Sequence, residues 1–160
     1  MRDPRAPEAW FRDRAALSLI GRRYLPWLAV LNLAWELAQL PLYTIWREQS
    51  AGYVAFAVAH CTVGDILIGA AALALALIAA RAGPPMRWPW LQVALIATVA
   101  GAAYTLVSEW MNTSLRQGWQ YSELMPTLDL GGFVIGVSPL AQWLVVPPLA
   151  LYLARRAESA

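Results

Sequence analysis

Four long runs of apolar residues constrain the fold of this chain more than any other feature of its sequence. They cover residues 24–46, 53–80, 88–111 and 131–154. Each run is longer than the roughly 20 residues that an α-helix needs to cross about 30 Å of hydrocarbon. Charged residues make up 14% of the chain, whereas a soluble domain carries about 25%. The sequence therefore predicts one all-α integral membrane domain over residues 1–160, a four-helix up-down bundle with short connections.

The arginines indicate how this bundle sits in a membrane. All twelve basic residues are arginine, and only Arg47 and Arg116 lie in the connections opposite the two termini. Because cytoplasmic loops carry an excess of basic residues, both termini are predicted to be cytoplasmic, in a bacterial inner membrane. No basic stripe with interleaved aromatics is present, so nucleic acid is not an expected partner. The lipid bilayer is expected, and a homo-oligomer or another membrane protein stays open.

The segment before the first run has the pattern of a helix lying on a membrane surface. Trp10, Leu17 and Tyr24 recur at seven-residue spacing among arginines. Residues 7–23 are therefore predicted to form a short interfacial helix on the cytoplasmic leaflet.

Polar side chains inside the apolar runs are the functional candidates. A charged side chain at the bilayer centre costs roughly 2.5–3.5 kcal/mol on insertion scales, and polar groups that face lipid have no partners. We therefore expect them to converge in one pocket in the outer half of the membrane. The ionisable candidates are Glu36, His60, Asp65 and Glu109, and the neutral ones are Asn32, Gln39, Asn112 and Gln142.

Each candidate also has a structural explanation that involves no catalysis. It can form a hydrogen bond between helices or, in the case of Glu109, be a solvated group at the membrane interface. On a helix, His60 and Asp65 are about 140° apart, so both line one pocket only if their span is central or distorted. A carboxylate/His metal site is a further alternative. The chain has one histidine and no Glu-x-x-His pair of the kind that bundle metal sites use, so neither a metal nor another cofactor is expected.

Aromatic residues near the candidates are expected to shape the pocket. Most of the nine tryptophans lie near the ends of the runs, as in interfacial belts. Trp35 and Trp143 are deeper and adjoin polar residues. Trp119 and Tyr121 lie in the long outer connection, where they either fold over the pocket as a lid or anchor the loop at the interface.

A dry pocket that holds carboxyl groups suits acid chemistry on an apolar molecule. Burial favours the neutral form of a carboxyl group, which can protonate an alkene, and aromatic faces stabilise the resulting cation. Water addition makes such an enzyme a lyase of the hydratase type, and proton loss makes it an isomerase. We predict Glu36 and Glu109 as the acid/base pair, with His60 and Asp65 tuning it, and an isoprenoid-like lipid as substrate. The alternative is a non-catalytic lipid- or quinone-binding protein or accessory subunit.

Part of the second half of the chain resembles a known enzyme family. Glu109, Asn112, the turn Gly118-Trp119-Gln120-Tyr121, Pro126 and the segment from Gly136 to Trp143 are similar to the CruF-like carotenoid hydratases of membranes. The resemblance implies that Glu109 is catalytic, that Asn112 is its partner, and that Trp119 and Tyr121 shape the pocket mouth. Asn112 stands where that family has an acid, and Ser138 is inserted before Pro139.

A second resemblance covers the whole chain. The segments WELAQLPLYT and HCTVGD and the terminal half are similar to those of small proteobacterial integral membrane proteins. This second resemblance implies a membrane location and no particular activity.

Overall fold

A computed structural model of the chain describes residues 9–116, 118–129 and 131–156 and is mostly α-helical, as predicted. Its α-helices are α1 Arg14–Leu19, α2 Leu25–Gln39, α3 Ile45–Glu48, α4 Ala51–Ala79, α5 Trp90–Trp110 and α6 Val137–Arg156. Two π-helical turns, Ile20–Tyr24 and Met111–Leu115, and three 3-10 turns, Trp10–Arg12, Leu40–Leu42 and Pro85–Arg87, extend or join them. Strands β1 Thr127–Asp129 and β2 Val134–Gly136 form a hairpin before α6.

Three of these helices are long and apolar enough to cross a membrane. They are α4, α5 with its continuation to Thr113, and α6. They correspond to the second, third and fourth apolar runs, and α4 begins with a cap in which Ser50 accepts a hydrogen bond from the Tyr53 N–H at 3.3 Å. Length and composition therefore support membrane association of this protein.

The first apolar run does not form one uninterrupted helix. α2 ends at Gln39, the 3-10 turn Leu40–Leu42 follows, and Tyr43 is extended at φ −116° and ψ 148°. Pro41 explains this end, because it has no N–H and disfavours helical backbone at the residue before it. The helix starts earlier than predicted, since the π-helical turn Ile20–Tyr24 joins α1 to α2. The turn and α2 together extend about 30 Å at 1.5 Å per residue.

The fourth run begins with a turn and a strand rather than with a helix. α6 starts at Val137 instead of residue 131, because residues 134–136 pair antiparallel with β1. The hairpin turn contains Gly131 at φ +74° and Gly132 at φ +91°, a backbone region that glycine adopts without steric cost. The Asp129 carboxylate accepts a hydrogen bond from the Gly132 N–H at 2.7 Å. Two adjacent glycines therefore explain why the first residues of this run form a turn instead of a helix.

The segment that precedes α2 in the chain also packs against the long helices. α1 is capped by Asp13, whose carboxylate accepts a hydrogen bond from the Ala16 N–H at 2.8 Å. Ala16 and Leu19 are buried, and the Trp10 N–H donates to the carbonyl of Ala82. The predicted interfacial helix is thus reduced to a short α1 that joins the apolar core, while residues 7 and 8 of that prediction lie outside the described residues.

The packing of the long helices separates an apolar end from a polar end. α2 and α5 each pack against both α4 and α6. The apolar core occupies the end at which α2 begins and α6 ends, and it includes Leu28, Leu73, Leu77, Val93 and Ala150. Small residues there allow close helix approach: a Cβ at Gly69 would lie 2.6 Å from the Leu28 side chain. The polar side chains are left for the opposite end.

Candidate functional site

A cavity of about 410 Å³ lies at the polar end, between the four long helices and the loop of residues 118–126. This volume is typical of ligand sites in proteins. Most of the predicted site residues line it: Glu36, Gln39, His60, Asp65, Glu109, Asn112, Trp119, Gln142 and Trp143. The remaining three, Asn32, Trp35 and Tyr121, lie outside its wall.

Two carboxyl groups meet in the wall of the cavity. Glu36 on α2 and Asp65 on α4 lie within hydrogen-bonding reach of each other, and Glu36 is 8% exposed. Two carboxylates at such a distance in a dry site repel each other, so the pair is most stable when it holds one proton. We call Glu36 and Asp65 the carboxyl pair.

Amide side chains hold the carboxyl pair in place. Gln39 Nε2 donates to Glu36 Oε1 at 2.8 Å, and Gln142 Nε2 donates to Asp65 Oδ2 at 2.8 Å. Gln142 Nε2 also donates to Asn32 Oδ1 at 2.8 Å, so that Asn32 reaches the pair only through Gln142. These bonds join α2, α4 and α6.

Local sequence explains this arrangement. Asn32, Glu36 and Gln39 follow one another at spacings of four and three residues and so share one face of α2. On α6, the hydroxyl of Ser138 donates to Gln39 Oε1 at 2.9 Å, and Gln142 lies one turn further on. One face of α2 therefore supplies both Glu36 and a supporting amide, and one face of α6 supplies further supporting side chains.

The third carboxyl group, Glu109, has a partner of its own. Glu109 is 5% exposed and accepts a hydrogen bond from the phenol of Tyr121 in the outer loop. Burial, and secondly this hydrogen bond, raise the pKa of the Tyr121 phenol above its ordinary value. Tyr121 is therefore a neutral donor that holds Glu109 at the edge of the cavity.

Close after Glu109, the α-helical hydrogen bonding of α5 changes to that of a wider π-helical turn. The hydroxyl of Thr113 donates to the carbonyl of Glu109 at 2.7 Å, and Asn112 Nδ2 donates to the carbonyl of Ser108 at 2.8 Å. The π-helical turn Met111–Leu115 begins here, and such turns are frequent at functional sites. Asn112 thus uses its amide N–H on its own helix rather than on Glu109.

The outer loop covers the cavity and is attached to the end of α2. The Thr44 N–H donates to the carbonyl of Gln120 at 3.0 Å, and the Ser122 N–H donates to the carbonyl of Leu42 at 2.9 Å. The Ser122 hydroxyl also donates to the carbonyl of Pro41 at 2.8 Å. The loop is therefore held by backbone pairing with the segment that follows α2.

Trp119 projects from this loop into the wall of the cavity. Its indole Nε1 is buried near the Glu109 carboxyl but lacks hydrogen-bond geometry, and among the described residues it has no other partner. An unpaired buried donor is costly, and a ligand in the cavity can supply an acceptor for it.

The cavity opens beside exposed aromatic side chains. Tyr53, Phe56 and Tyr104 line it and are 46%, 65% and 54% exposed. His60 is also exposed and stacks on Phe56 with ring centroids 5.7 Å apart. His60 and Asp65 both line the cavity because the cavity covers a broad face of α4. His60 lies at the opening, and Asp65 lies deeper. The opening lies on an apolar surface of the α4–α5 side.

Several contributors differ from those that the sequence suggested. Trp35 packs against the apolar core. Arg116 lines the cavity although it was interpreted only as a topology signal, and Ser138 was interpreted only as an insertion. Exposed aromatics such as Tyr104 carry no sequence signal that separates a pocket mouth from an interfacial belt. In the described part of the chain, no three His, Cys, Asp or Glu side chains are placed to hold a metal ion.

Comparison with known proteins adds no relative. No protein-family model matches the chain, and neither curated proteins nor solved structures show a significant match to it.

Proposed function

We propose that this protein is a membrane-embedded lyase of the hydratase type, or an isomerase, that acts on an isoprenoid-like lipid. The observation that supports this function is the carboxyl pair Glu36–Asp65 in the wall of a cavity that aromatic side chains line and that opens on an apolar surface. In this proposal the four long helices form an up-down bundle in a bacterial inner membrane, with the cavity in its outer half and both termini in the cytoplasm.

The carboxyl pair supplies the proton. Its shared proton is transferred to one carbon of a substrate double bond, which leaves a carbocation on the other carbon and both carboxyl groups ionised. The faces of Tyr43, Tyr104 and Trp143 are available to stabilise this cation. Gln39 and Gln142 donate to the resulting carboxylates and so lower the cost of their charge.

A second proton transfer completes the reaction. In a hydratase, water adds to the carbocation and loses a proton to a carboxylate, which gives an alcohol. In an isomerase, the carbon on the other side of the cationic centre loses one of its own protons to a carboxylate, and the double bond moves. Either route requires no oxidant or reductant, and the single proton of the pair is restored once the receiving base has returned its proton to the pair. Glu109, held by Tyr121, is the candidate for the receiving base.

The second candidate function is non-catalytic binding of a lipid or quinone, alone or as an accessory subunit. The hydrogen bonds that favour it are those from Gln142 and Ser138, since they join helices and would stabilise the fold without any reaction. Both functions use the same cavity.

Separate replacement of the acids distinguishes the two functions. Glu36→Gln, Asp65→Asn and Glu109→Gln keep size and hydrogen-bonding capacity, and Glu48→Gln on the exposed surface of α3 is the matched control. Lipid extracts from cells that lack the gene, complemented with each variant, are compared by mass spectrometry. Catalysis predicts that precursor accumulates with the Glu36 and Asp65 variants as with the empty vector. Full complementation by both would refute an acid–base role.

A further inference from the structure

Among the described residues, Arg116 is the one arginine that lines the cavity, and it lies at the outer end. Arg116 follows the π-helical turn of α5 and lines the cavity. The other arginine predicted on the same side of the membrane, Arg47, lies on the exposed surface of α3 and does not line it. One of two arginines on this side is thus part of the cavity.

The carboxyl groups of the cavity do not neutralise Arg116. Glu36, Asp65 and Glu109 are each hydrogen-bonded to a neutral side chain. Within the described residues none of them lies within 4.0 Å of the guanidinium as an ion pair. The positive charge of Arg116 therefore remains available to an anion at the outer end of the cavity.

A second donor lies close to Arg116 in the chain. Nε1 of Trp119 is buried near the Glu109 carboxyl group but makes no hydrogen bond of good geometry among the described residues. An anionic oxygen can accept hydrogen bonds from an indole N–H and from the planar fork of an arginine, and such charge-assisted bonds are stronger than neutral ones.

The opposite end of the cavity is apolar. Trp143 packs on Gly101 and lines this end together with Ile68. Gly101 lies about 20 Å from Arg116 along α5 and the π-helical turn that follows it, at about 1.5 Å per residue. On α4, Asp65 lies about one turn before Ile68 and so nearer to the outer end than Ile68. The cavity is thus suited to a long ligand with an anionic head and an apolar chain.

We propose that the cavity binds an amphipathic lipid whose anionic head, a phosphate or a carboxylate, is held by Arg116 and whose chain extends past the carboxyl pair toward Trp143. This inference rests on the proposed lipid-binding function and adds the chemical class of the head group. It also explains how a long chain is placed so that a double bond, rather than the head, reaches Glu36 and Asp65.

Binding of two probes that differ only in the head group tests this inference. Farnesyl phosphate and farnesol are titrated into purified protein in detergent, with retained ligand measured by native mass spectrometry. We expect farnesyl phosphate to bind about tenfold more tightly, as charge-assisted hydrogen bonds would give. Arg116→Gln should abolish the preference, and Arg47→Gln should retain it. Size-exclusion profiles and thermal unfolding show that both variants are folded.

The opposite results would overturn the inference. Equal affinity for the two probes, no binding of either, or a preference that survives in Arg116→Gln would each exclude the assigned head-group site. Competition by millimolar inorganic phosphate as strong as that by farnesyl phosphate would show a site for free phosphate instead. If Glu36→Gln keeps the head-group preference, the head-group site stands. If in addition no form of the protein turns over a substrate, catalysis is refuted while this site is not.

Discussion

The amide nitrogen of Gln142 lies 2.8 Å from Oδ2 of Asp65 and so joins α6 to α4 through a half-buried carboxyl group. Loss of the donor leaves the half-buried Asp65 carboxyl group and the buried Asn32 oxygen without this partner, at a cost of about 1–3 kcal/mol. We expect Gln142→Leu to lower the thermal unfolding temperature of the purified protein in detergent. Leu144 lies on the same helix, and its side chain is 63% exposed. Leu144→Ala is therefore the control and should change the unfolding temperature little. Equal unfolding temperatures for both variants would contradict a stabilising role of this bond.

The tight contact between Gly101 and Trp143 predicts a second stability difference. A Cβ at Gly101 would overlap the Trp143 ring, whereas a Cβ at Gly64 would have no atom within 4 Å. Trp143 is 2% exposed, so its ring has little space to move. Gly101→Ala should destabilise the protein by about 1–3 kcal/mol, as overpacking does, and Gly64→Ala should be tolerated. Thermal unfolding of the two single variants measures the difference, and similar loss in both would show that the contact is not tight.

The sequence predicted the local part of this site and missed its long-range part. Spacing along α2 identified the face of Asn32, Glu36 and Gln39, because helical period is a local property. The bond between Ser122 and Pro41 joins residues far apart in the chain, and no pattern near either residue indicates it. The end of α2 and the hairpin before α6 were also missed, since apolar composition alone does not show where Pro41 or the glycine pair interrupts a helix.

The hydrogen bond from Tyr121 to Glu109 predicts a pH-dependent contribution to stability. Burial and this bond raise the pKa of the phenol above its unfolded value of about 10. The folded state therefore binds the phenol proton more tightly. The stabilisation is fully present below pH 10 and is lost as pH rises toward the folded pKa. Wild-type protein should be more stable than Tyr121→Phe at neutral pH, and the difference should shrink above about pH 10. A constant difference in unfolding temperature between pH 8 and pH 11 would contradict this linkage.

Cys61 offers a direct test of access to the cavity. It is the only cysteine of the chain, it lines the cavity, and Gly64 lies about one turn away on the same wall. Because a side chain at Gly64 would meet no atom within 4 Å, Gly64→Phe should fill open space rather than disturb packing. We expect a small apolar maleimide to modify Cys61 in membranes, and we expect Gly64→Phe to slow this reaction several-fold.

Gly52→Phe is the matched control for that labelling. Gly52 is on α4, also has open space around it, and does not line the cavity, so its replacement should leave the labelling rate unchanged. Mass spectrometry of the intact protein measures the modified fraction over time. The surface around the opening beside Tyr53 and Phe56 is apolar. If reagents reach Cys61 through this opening, a maleimide that carries a fixed charge should therefore react more slowly than the apolar one. Equal rates for both reagents, or equal slowing by both phenylalanine variants, would show that Cys61 is reached from water by another path.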